Sequence, residues 1–464
     1  MRLTAARLTG ALAALTLPLL ACAGDVATTT SGAVTQLDPT VVDPIGTDPA
    51  ATDPNESSSE PNRDPAQPTA WSGSDFVVHE WGTYTSLQTS DGVTLPGLHH
   101  EEEPLPSFVS HRCLGCEPKS VEVLPEEVTQ KLETPVIYFY SDKRVDVRVD
   151  VDFPRGVISE YYPAPTTFSP PIGELAALAD TAMSWSVTVD PEIAPKAFPP
   201  VGEDDIWAPS RRTAATPIVR GEEHERFIFY RGLGRFEMPF VVTSGEPTAA
   251  AAQGTLTLAN GGDVAVPWAL VMDRDAEGGG LTLVTAGIAA GAKATVPVPE
   301  RTLDGASFRA AARDALVDAL VGSGLYEDES VAMVDTWEKS WLDSTGLRVL
   351  YVAPRSWTDA LLPITVTPAP DQLERTLVGR VEVMTRADEL ALLAEVDALE
   401  PAGADLTPCL DALYAHHGRL MEARLRAARR RNAETQRQDR EPLLDALIQQ
   451  ASGPYFGLSV PGAP

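Results

Sequence analysis

The chain has few cysteines and few basic residues for its length. Four cysteines in 464 residues are too sparse for a disulfide scaffold. Only 36 lysines and arginines stand against 66 aspartates and glutamates, which gives a formal net charge of −30 at pH 7. This balance argues against nucleic acid as the main partner, because phosphate binding needs a compensating basic surface. The hydrophobic share of 43% is nevertheless typical of a globular chain.

The sequence also lacks long apolar runs and familiar catalytic motifs. After the N-terminal region, no stretch reaches the ~18 consecutive apolar residues that a membrane-spanning helix needs. There is no Gly-x-Ser-x-Gly elbow, no phosphate-binding loop and no dinucleotide fingerprint. The sequence therefore predicts no particular reaction, and it leaves open whether the protein is an enzyme.

The first 22 residues have the organisation of an export signal. A short basic start and an apolar run precede the sequence LLAC, which ends at Cys22. This ending resembles the lipobox of bacterial lipoproteins, which are cleaved before the cysteine and carry diacylglycerol on its thiol. The resemblance implies a signal peptide over 1–21 and an extracytoplasmic protein anchored to a membrane through Cys22, at the outer membrane or the periplasmic face. The alternative is a plain secretory signal in which the cysteine is incidental.

The segment 22–75 has the composition of a tether. Aspartate-proline pairs recur every five residues from Asp38-Pro39 to Asp53-Pro54. Each proline pushes the residue before it out of the helical region, and the segment has almost no large apolar groups to bury. We expect an extended, disordered stalk that holds the folded part off the membrane.

The folded part is predicted to begin near residue 76 with antiparallel strands. Apolar side chains occupy every second position from Val145 to Phe153, and charged side chains occupy the others. This period of two indicates a strand with one buried face. The apolar run Pro135 to Tyr140 precedes it, so the two are expected to form a hairpin around residues 141–143. Further short strands separated by turns predict an antiparallel β-sandwich domain over 76–302.

The periodicity changes near residue 303. Apolar side chains recur at three and four residues over 307–321 and are followed by Gly322 and Gly324, which predicts an amphipathic helix. Strands are predicted at 348–352, 362–366 and 377–384, and helices at 387–399, 410–431 and 442–451. The second half, 303–464, is therefore expected to be an α+β or α/β domain.

Histidine and glutamate cluster at the start of the fold. Four of the seven histidines lie between positions 79 and 111: three belong to the sequences HEWGT at 79–83 and LHHEEE at 98–103, and the fourth is His111. Imidazole and carboxylate together suit zinc or a similar divalent ion. The hypothesis is a metal site formed by His79, His99 and His100 with Glu101 to Glu103. The spacing matches no zinc signature, and the alternative is that His79 packs in the core while the second run is a solvated loop.

Glu80 is the weaker candidate for the carboxylate of this site. On a regular strand it faces away from His79, so both could not bind one ion without a bulge. We therefore rank Glu101 and Glu103 above Glu80.

Two cysteines three positions apart follow the histidines. Cys113 and Cys116 could close a small disulfide ring, bind a metal or remain free thiols. In an exported protein the disulfide is favoured. If Cys22 carries lipid, Cys409 is left without an obvious partner.

The region 419–440 is rich in arginine. It contains eight arginines against three acidic residues, within a chain of net charge −30. A membrane-surface or partner helix is one interpretation. The simpler one is a helix that is solvated or pairs internally with the acidic body of the protein.

Four motifs carry a resemblance to a known family. They are HEWGT at 79–83, ETPVIYFY at 133–140, YRGLG at 230–234, and the helix with Trp337 and Trp341. Together they resemble a family of exported bacterial proteins of unknown function. The resemblance implies a shared fold and export, and it assigns no catalytic residue.

Two functions are compatible with the sequence. The first is a lipid-anchored binding or structural module at the cell envelope, with an unidentified envelope or extracellular ligand. The alternative is a metal-dependent hydrolase built on the histidines and glutamates near the start of the fold.

Overall fold

The computed structural model describes residues 70–73, 75–100, 104–111, 128–171, 180–401, 405–435 and 437–452. The predicted signal peptide and most of the tether lie outside these residues, as do Cys22, Glu101, Glu103, Cys113 and Cys116. The described residues belong to one compact unit. No helix among them is both long enough and apolar enough to cross a membrane.

The described residues form strands throughout and helices mainly after residue 304. The strands are β1 Val77–Gln88, β2 Ser110–His111, β3 Gln130–Tyr140, β4 Val145–Phe153, β5 Gly156–Tyr162, β6 Thr167–Ser169, β7 Thr181–Val189, β8 Ile218–Arg220, β9 Glu223–Glu225, β10 Phe227–Gly234, β11 Phe240–Gly245, β12 Thr255–Asn260, β13 Ala269–Arg274, β14 Gly278–Val284, β15 Lys293–Pro297, β16 Leu303–Asp304, β17 Gly346–Val352, β18 Ile364–Thr367 and β19 Gln372–Val383. The helices are α1 Gly305–Gly322, α2 Glu327–Glu338, α3 Arg355–Leu361, α4 Arg386–Asp397, α5 Thr407–His417, α6 Met421–Asn432 and α7 Glu441–Ala451. The mixed α+β fold predicted from the sequence is confirmed.

The described strands form three sheets. The largest has ten strands in the order β16-β14-β13-β17-β19-β1-β3-β10-β5-β2. A second sheet has the order β18-β4-β7-β8-β9 with β6 beside β7, and a third has the order β11-β12-β15. Strand β1 lies inside the large sheet, antiparallel to β3 and parallel to β19. Every residue of β1 is buried, since both faces of the sheet are covered.

The two faces of the large sheet pack against different layers. On one face, Val78 and Phe139 share a core with Val149 and Leu258 of the two smaller sheets. On the other, Trp81 belongs to a core that includes α1 and α2. Helices α4 to α7 form a third core around the far ends of β1 and β19. The large sheet is therefore the middle layer of the protein.

Helix α1 follows the predicted periodicity. Its N-cap residue Asp304 accepts a hydrogen bond from the main-chain nitrogen of Ser307 at 2.8 Å, which satisfies one of the helix's unpaired donors. The side chains buried along it are Phe308, Ala312, Leu316 and Leu320. Their spacing of four places them in one stripe against the sheet.

The structure corrects two expectations, one about which strands pair and one about where the chain divides into domains. Strands β3 and β4 do not form a hairpin: β3 pairs with β1 and β10, whereas β4 pairs with β7 and β18 in another sheet. The chain instead crosses the core at residues 141–143. The boundary at 302/303 does not separate two bodies, because β17 and β19 are inserted between β13 and β1 of the same sheet.

The arginine-rich C-terminal region is paired internally. Arg426 contacts Glu422 at 2.7 Å and Arg431 contacts Glu389 at 2.6 Å. Arg440 pairs with Asp397. The simpler interpretation of this region, a helix that pairs with acidic groups of the protein, is therefore confirmed.

Candidate functional site

Three potential metal ligands meet where the loop after β1 contacts helix α6. His99, His100 and Glu422 each offer one donor atom, and these atoms lie within 4.8 Å of one another. His100 Nε2 is 3.1 Å from Glu422 Oε2, and His99 Nδ1 is 3.7 Å from the same oxygen. Two metal bonds of about 2.0–2.1 Å at a tetrahedral angle would separate their donors by about 3.3 Å. The two histidine-to-carboxylate distances are close to that value, and all three donors lie within 4.8 Å of one another.

The local backbone lets the two histidines approach Glu422. Gly97 has a φ of +102°, a conformation that favours glycine. A Cβ atom at this position would lie 2.9 Å from Glu422 Cδ, which is too close for ordinary packing. Glycine therefore serves two purposes here: it permits the turn into the histidines and it leaves room for the carboxylate.

The polar groups around the site hold Glu422 firmly. Its Oε1 accepts hydrogen bonds from Arg426 Nη2 at 2.7 Å and from the Ser452 hydroxyl at 2.8 Å. Lys131 Nζ donates to the main-chain oxygen of His100 at 2.6 Å. Oε2 consequently remains directed at the two imidazoles.

The imidazole of His99 has unusual surroundings. Both of its ring nitrogens are buried, and neither has a hydrogen-bond partner among the described residues. Its ring centroid lies 3.9 Å from that of His100. Burial, reinforced by the charge of His100, lowers the pKa of His99 to about 3. His99 is therefore a neutral imidazole at ordinary pH, which is the form that binds a metal.

Glu422 is ionised under the same conditions. Burial alone would raise its pKa, but the hydrogen bond with His100, together with the charge and hydrogen bond of Arg426, lowers it to about 2. The site thus combines a neutral imidazole with a carboxylate ready to bind a cation.

His79, the third predicted ligand, belongs to a different part of the molecule. Its Nδ1 lies 2.7 Å from Glu329 Oε2 of helix α2, and both side chains are fully buried. Lys131, which holds His100, is paired across the sheet with Thr85, six residues further along β1. At 3.3 Å per residue, Thr85 lies about 20 Å along the strand from His79. The structure therefore brings His99 and His100 together but not His79.

Glu80 points away from His79, as the strand periodicity predicted. It accepts hydrogen bonds from Arg375 Nε and the Tyr230 hydroxyl, both at 2.5 Å. Arg375 also reaches Asp359 and the main-chain oxygen of Leu362. Both oxygens of Glu80 are used in this buried network, which gives the residue a structural role.

A band of buried charges lies beside the candidate metal site. We call it the charged seam, and it consists of Lys131, Glu133, Arg348, Arg380, Glu382, Arg419 and Arg424. Its members on the strands lie on the sheet face that the helices cover, between the core under α1 and α2 and the core under α4 to α7. The seam therefore follows the boundary between two helical layers.

Two carboxylates are the acidic centres of the seam. Arg419 pairs with Glu133, which also accepts from Thr85 at 2.7 Å. Arg348 and Arg380 lie 3.0 and 2.7 Å from Glu382. Burial would raise the pKa of each carboxyl, but the surrounding cations hold both at about 2. Both glutamates are therefore charged although they are buried.

Sequence reasoning found the two histidines and missed their carboxylate partner. Glu422 is 322 residues from His100 and lies in an arginine-rich helix, where an acidic residue looks like an ordinary ion-pair partner. The only local signal is its i, i+4 pairing with Arg426. Glu101 and Glu103 lie outside the described residues, so their predicted part in the site stays a prediction.

The cysteine predictions also concern residues that the structure does not describe. Cys22, Cys113 and Cys116 stay as predicted from the sequence. Cys409 is buried on α5 as a free thiol.

No family model and no curated protein matches the chain. Among solved structures, it is similar to the yeast delta-COP-I mu-homology domain, alone and complexed with a Dsl1 WxWxV peptide. The identities are 7% and 8% and the TM-scores 0.26 and 0.25, over 68% of this chain and 98% of each of those chains. A similarity at this level carries no argument about function.

Proposed function

We propose that this chain is a lipid-anchored extracytoplasmic protein whose folded part binds a divalent transition-metal ion, such as zinc. The ion would be held by His99, His100 and Glu422. The observation that carries the proposal is the convergence of these three donor atoms around a buried imidazole without a hydrogen-bond partner among the described residues. Two imidazoles and a carboxylate form a donor set that suits zinc.

Desolvation supports a ligand role for His99. Burying a polar group without a hydrogen bond costs roughly 1–3 kcal/mol in proteins. A metal bond to one ring nitrogen would offset that cost. The neutral state of His99 also means that binding through this residue releases no proton near pH 7.

Binding is favoured over metal-dependent hydrolysis at this site. Three protein ligands would leave one coordination position open, but a hydrolytic centre also needs a general base near the metal-bound water. The ligand group among the described residues contains a single carboxylate. One oxygen of Glu422 faces the imidazoles, and the other is held by Arg426 and Ser452. Glu422 is thus placed as a ligand and not as a base.

The anchoring part of the proposal is supported by the N-terminal sequence. The LLAC sequence ending at Cys22 follows a basic start and an apolar run, and an acidic, proline-rich segment separates it from the first described strand. Lipid on Cys22 would hold the metal-binding part at an envelope surface.

Metal titration of the chelator-stripped full chain tests the binding proposal. Elemental analysis and calorimetry should show one zinc ion per chain. His99→Ala should weaken binding by more than the 10–100-fold that loss of an outer-shell partner costs, because it removes a direct ligand. Glu422→Gln should weaken it as well.

His224→Ala is the matched control. His224 lies on β9 in another sheet and contacts the main-chain oxygen of Glu222, so its loss should leave zinc affinity unchanged. Absence of zinc binding to the parent chain, or equal affinities for the His99 and His224 variants, would refute the site. Circular dichroism of each variant confirms that it is folded.

A further inference from the structure

Two arginines of the charged seam, Arg348 and Arg424, approach Gly346, the first residue of β17, and Arg380 contacts the carboxylate that lies beside them. Arg348 and Arg380 both contact Glu382, and Arg424 of helix α6 approaches the same carboxylate from the helical layer. Two guanidinium groups therefore pair with one buried carboxylate, and a third lies nearby without pairing with it.

The absence of a side chain at Gly346 leaves space at this meeting point. A Cβ atom built there would lie 3.6 Å from Arg424 Nη2, 3.7 Å from Arg348 Nη2 and 3.8 Å from Glu382 Oε2. Gly346 has a φ of +123°, a conformation that side chains other than glycine's rarely adopt. Two guanidinium nitrogens from different layers thus flank a small space over a glycine.

Two of these arginines have hydrogen-bonding capacity that the described residues do not use. Arg380 is 1% exposed, and its Nη1 is buried without a hydrogen-bond partner among the described residues. Arg424 Nη1 contacts His417 Nδ1 at 3.2 Å, and no described carboxylate lies within ion-pair distance of Arg424. An unpaired buried donor costs free energy, and a guanidinium group costs more than a neutral one.

We propose that Arg348, Arg380 and Arg424 hold a small tetrahedral oxyanion, phosphate or sulfate, beside Gly346. Guanidinium groups match the geometry of such anions and bind them through parallel N–H···O bonds. Glu382 supplies one negative charge and the three arginines supply three positive charges. These four side chains therefore have a net charge of +2, which a dianion would neutralise. The boundary between two helical layers is also a common place for ligand sites.

This site is separate from the proposed metal site. The anion-binding residues are Arg348 of β17, Arg380 of β19 and Arg424 of α6, whereas the metal ligands are His99 and His100 of the loop after β1 and Glu422 of α6. Anion binding requires no metal and is tested with the metal removed.

The test measures thermal unfolding of the full chain in detergent with EDTA present. Inorganic phosphate or sulfate should raise the midpoint temperature by several degrees relative to chloride at equal ionic strength. Calorimetry with phosphate should give one site per chain. Arg424→Gln should weaken phosphate binding by at least 10-fold, because it removes one of the three cations.

Arg429→Gln is the matched control, since Arg429 lies on the same helix, half exposed and paired with Asp445. It should bind phosphate as the parent does. If Arg424→Gln does not fold, Arg380→Lys replaces it, because this variant keeps the charge and loses the guanidinium fork. The proposal is overturned if phosphate acts no differently from chloride, or if the seam variant binds phosphate as tightly as the control.

Discussion

His79 and Glu329 are joined by a 2.7 Å contact between two fully buried side chains that lie 250 residues apart in the chain. Tyr326 encloses the pair: its ring centroid lies 4.4 Å from that of His79, and its main-chain nitrogen donates to Glu329 at 2.9 Å. The contact connects the first strand of the fold to helix α2. The histidine of the HEWGT sequence therefore joins the sheet to its helical cover.

Removal of the Glu329 carboxylate should destabilise the fold strongly. Removing the carboxylate leaves His79 Nδ1 and the Tyr326 main-chain nitrogen buried without this partner, so Glu329→Ala should lower the free energy of unfolding by about 3 kcal/mol. Glu329→Gln should cost less than half as much, because the amide oxygen can still accept from Tyr326. Urea denaturation measures both. Glu327→Ala, at an exposed position of α2, is the control and should have little effect; equal effects at both positions would contradict the structural role.

Individual helices and strands were predictable because the spacing of apolar residues within each segment indicates its secondary structure. Helix α1 follows from apolar spacing and from the glycines at its end. Strand β4 follows from strict alternation, and its burial alternates accordingly. Pairing partners were not predictable. Residues 141–143 have turn chemistry that suits a hairpin or a crossing between sheets, and the correct choice depends on distant strands.

The candidate site was predictable in part for the same reason. Adjacent His99 and His100 with acidic neighbours gave a local signal. Glu422 came from a helix 322 residues away, so only the fold could place it. His79 looked like a third ligand because it lies in the same histidine-rich stretch of the sequence. The strand instead runs on for six more residues before it reaches the level of Lys131 and His100.

Gly97→Ala should impair metal binding without touching a ligand atom. The new Cβ atom would approach Glu422 Cδ to 2.9 Å, and the φ of +102° would be strained. We expect zinc affinity to fall by at least 10-fold, since displacement of a ligand by a fraction of an ångström weakens its bond. Calorimetry measures the affinity. Gly202→Ala, where nothing lies within 4 Å of the added atom, is the control. Unchanged affinity in Gly97→Ala would count against Glu422 as a ligand.

Acid should weaken the fold through Glu382. Its pKa is about 2 in the folded protein, below the ordinary value of 4.5, so the unfolded chain takes up the proton first as the pH falls. The contribution of ionised Glu382 to the stability of the fold is complete above pH 4.5 and is lost as the pH falls towards 2. Between pH 6 and pH 3 the stability advantage of the parent over Glu382→Gln should shrink by about 2 kcal/mol. Chemical denaturation at several pH values measures it, with exposed Glu192→Gln as control. An advantage that stays constant over this range would disprove the assignment.

Substitution of Cys22 should release the protein from membranes. Cys22→Ser removes the thiol that would carry the lipid, and no described helix can replace the anchor. Fractionation of cells should therefore find the variant outside the membrane pellet and the parent within it. Cys409→Ser, at a buried position of α5, controls for the loss of a thiol elsewhere. A variant that sediments with membranes as the parent does would place the anchor elsewhere.

Cys113 and Cys116 should be oxidised to each other in the exported protein. Their separation is short and the proposed export would place them in an oxidising compartment, whereas Cys409 is buried. A peptide map under non-reducing conditions should contain one peptide pair or loop that joins the two. Two free thiols, or a bond from Cys113 to Cys409, would contradict the prediction.

The position of β1 has a consequence for the order of events during folding. Val77 is paired with Gln372, 295 residues later, in the middle of the largest sheet. Closing so long a loop is slow, because its entropic cost must be met before the contact forms. Strand β1 therefore keeps one edge unpaired until β19, which ends at Val383, has been synthesised. The export that we propose would suit this order of events, because the central sheet can close only after most of the polypeptide has crossed the membrane.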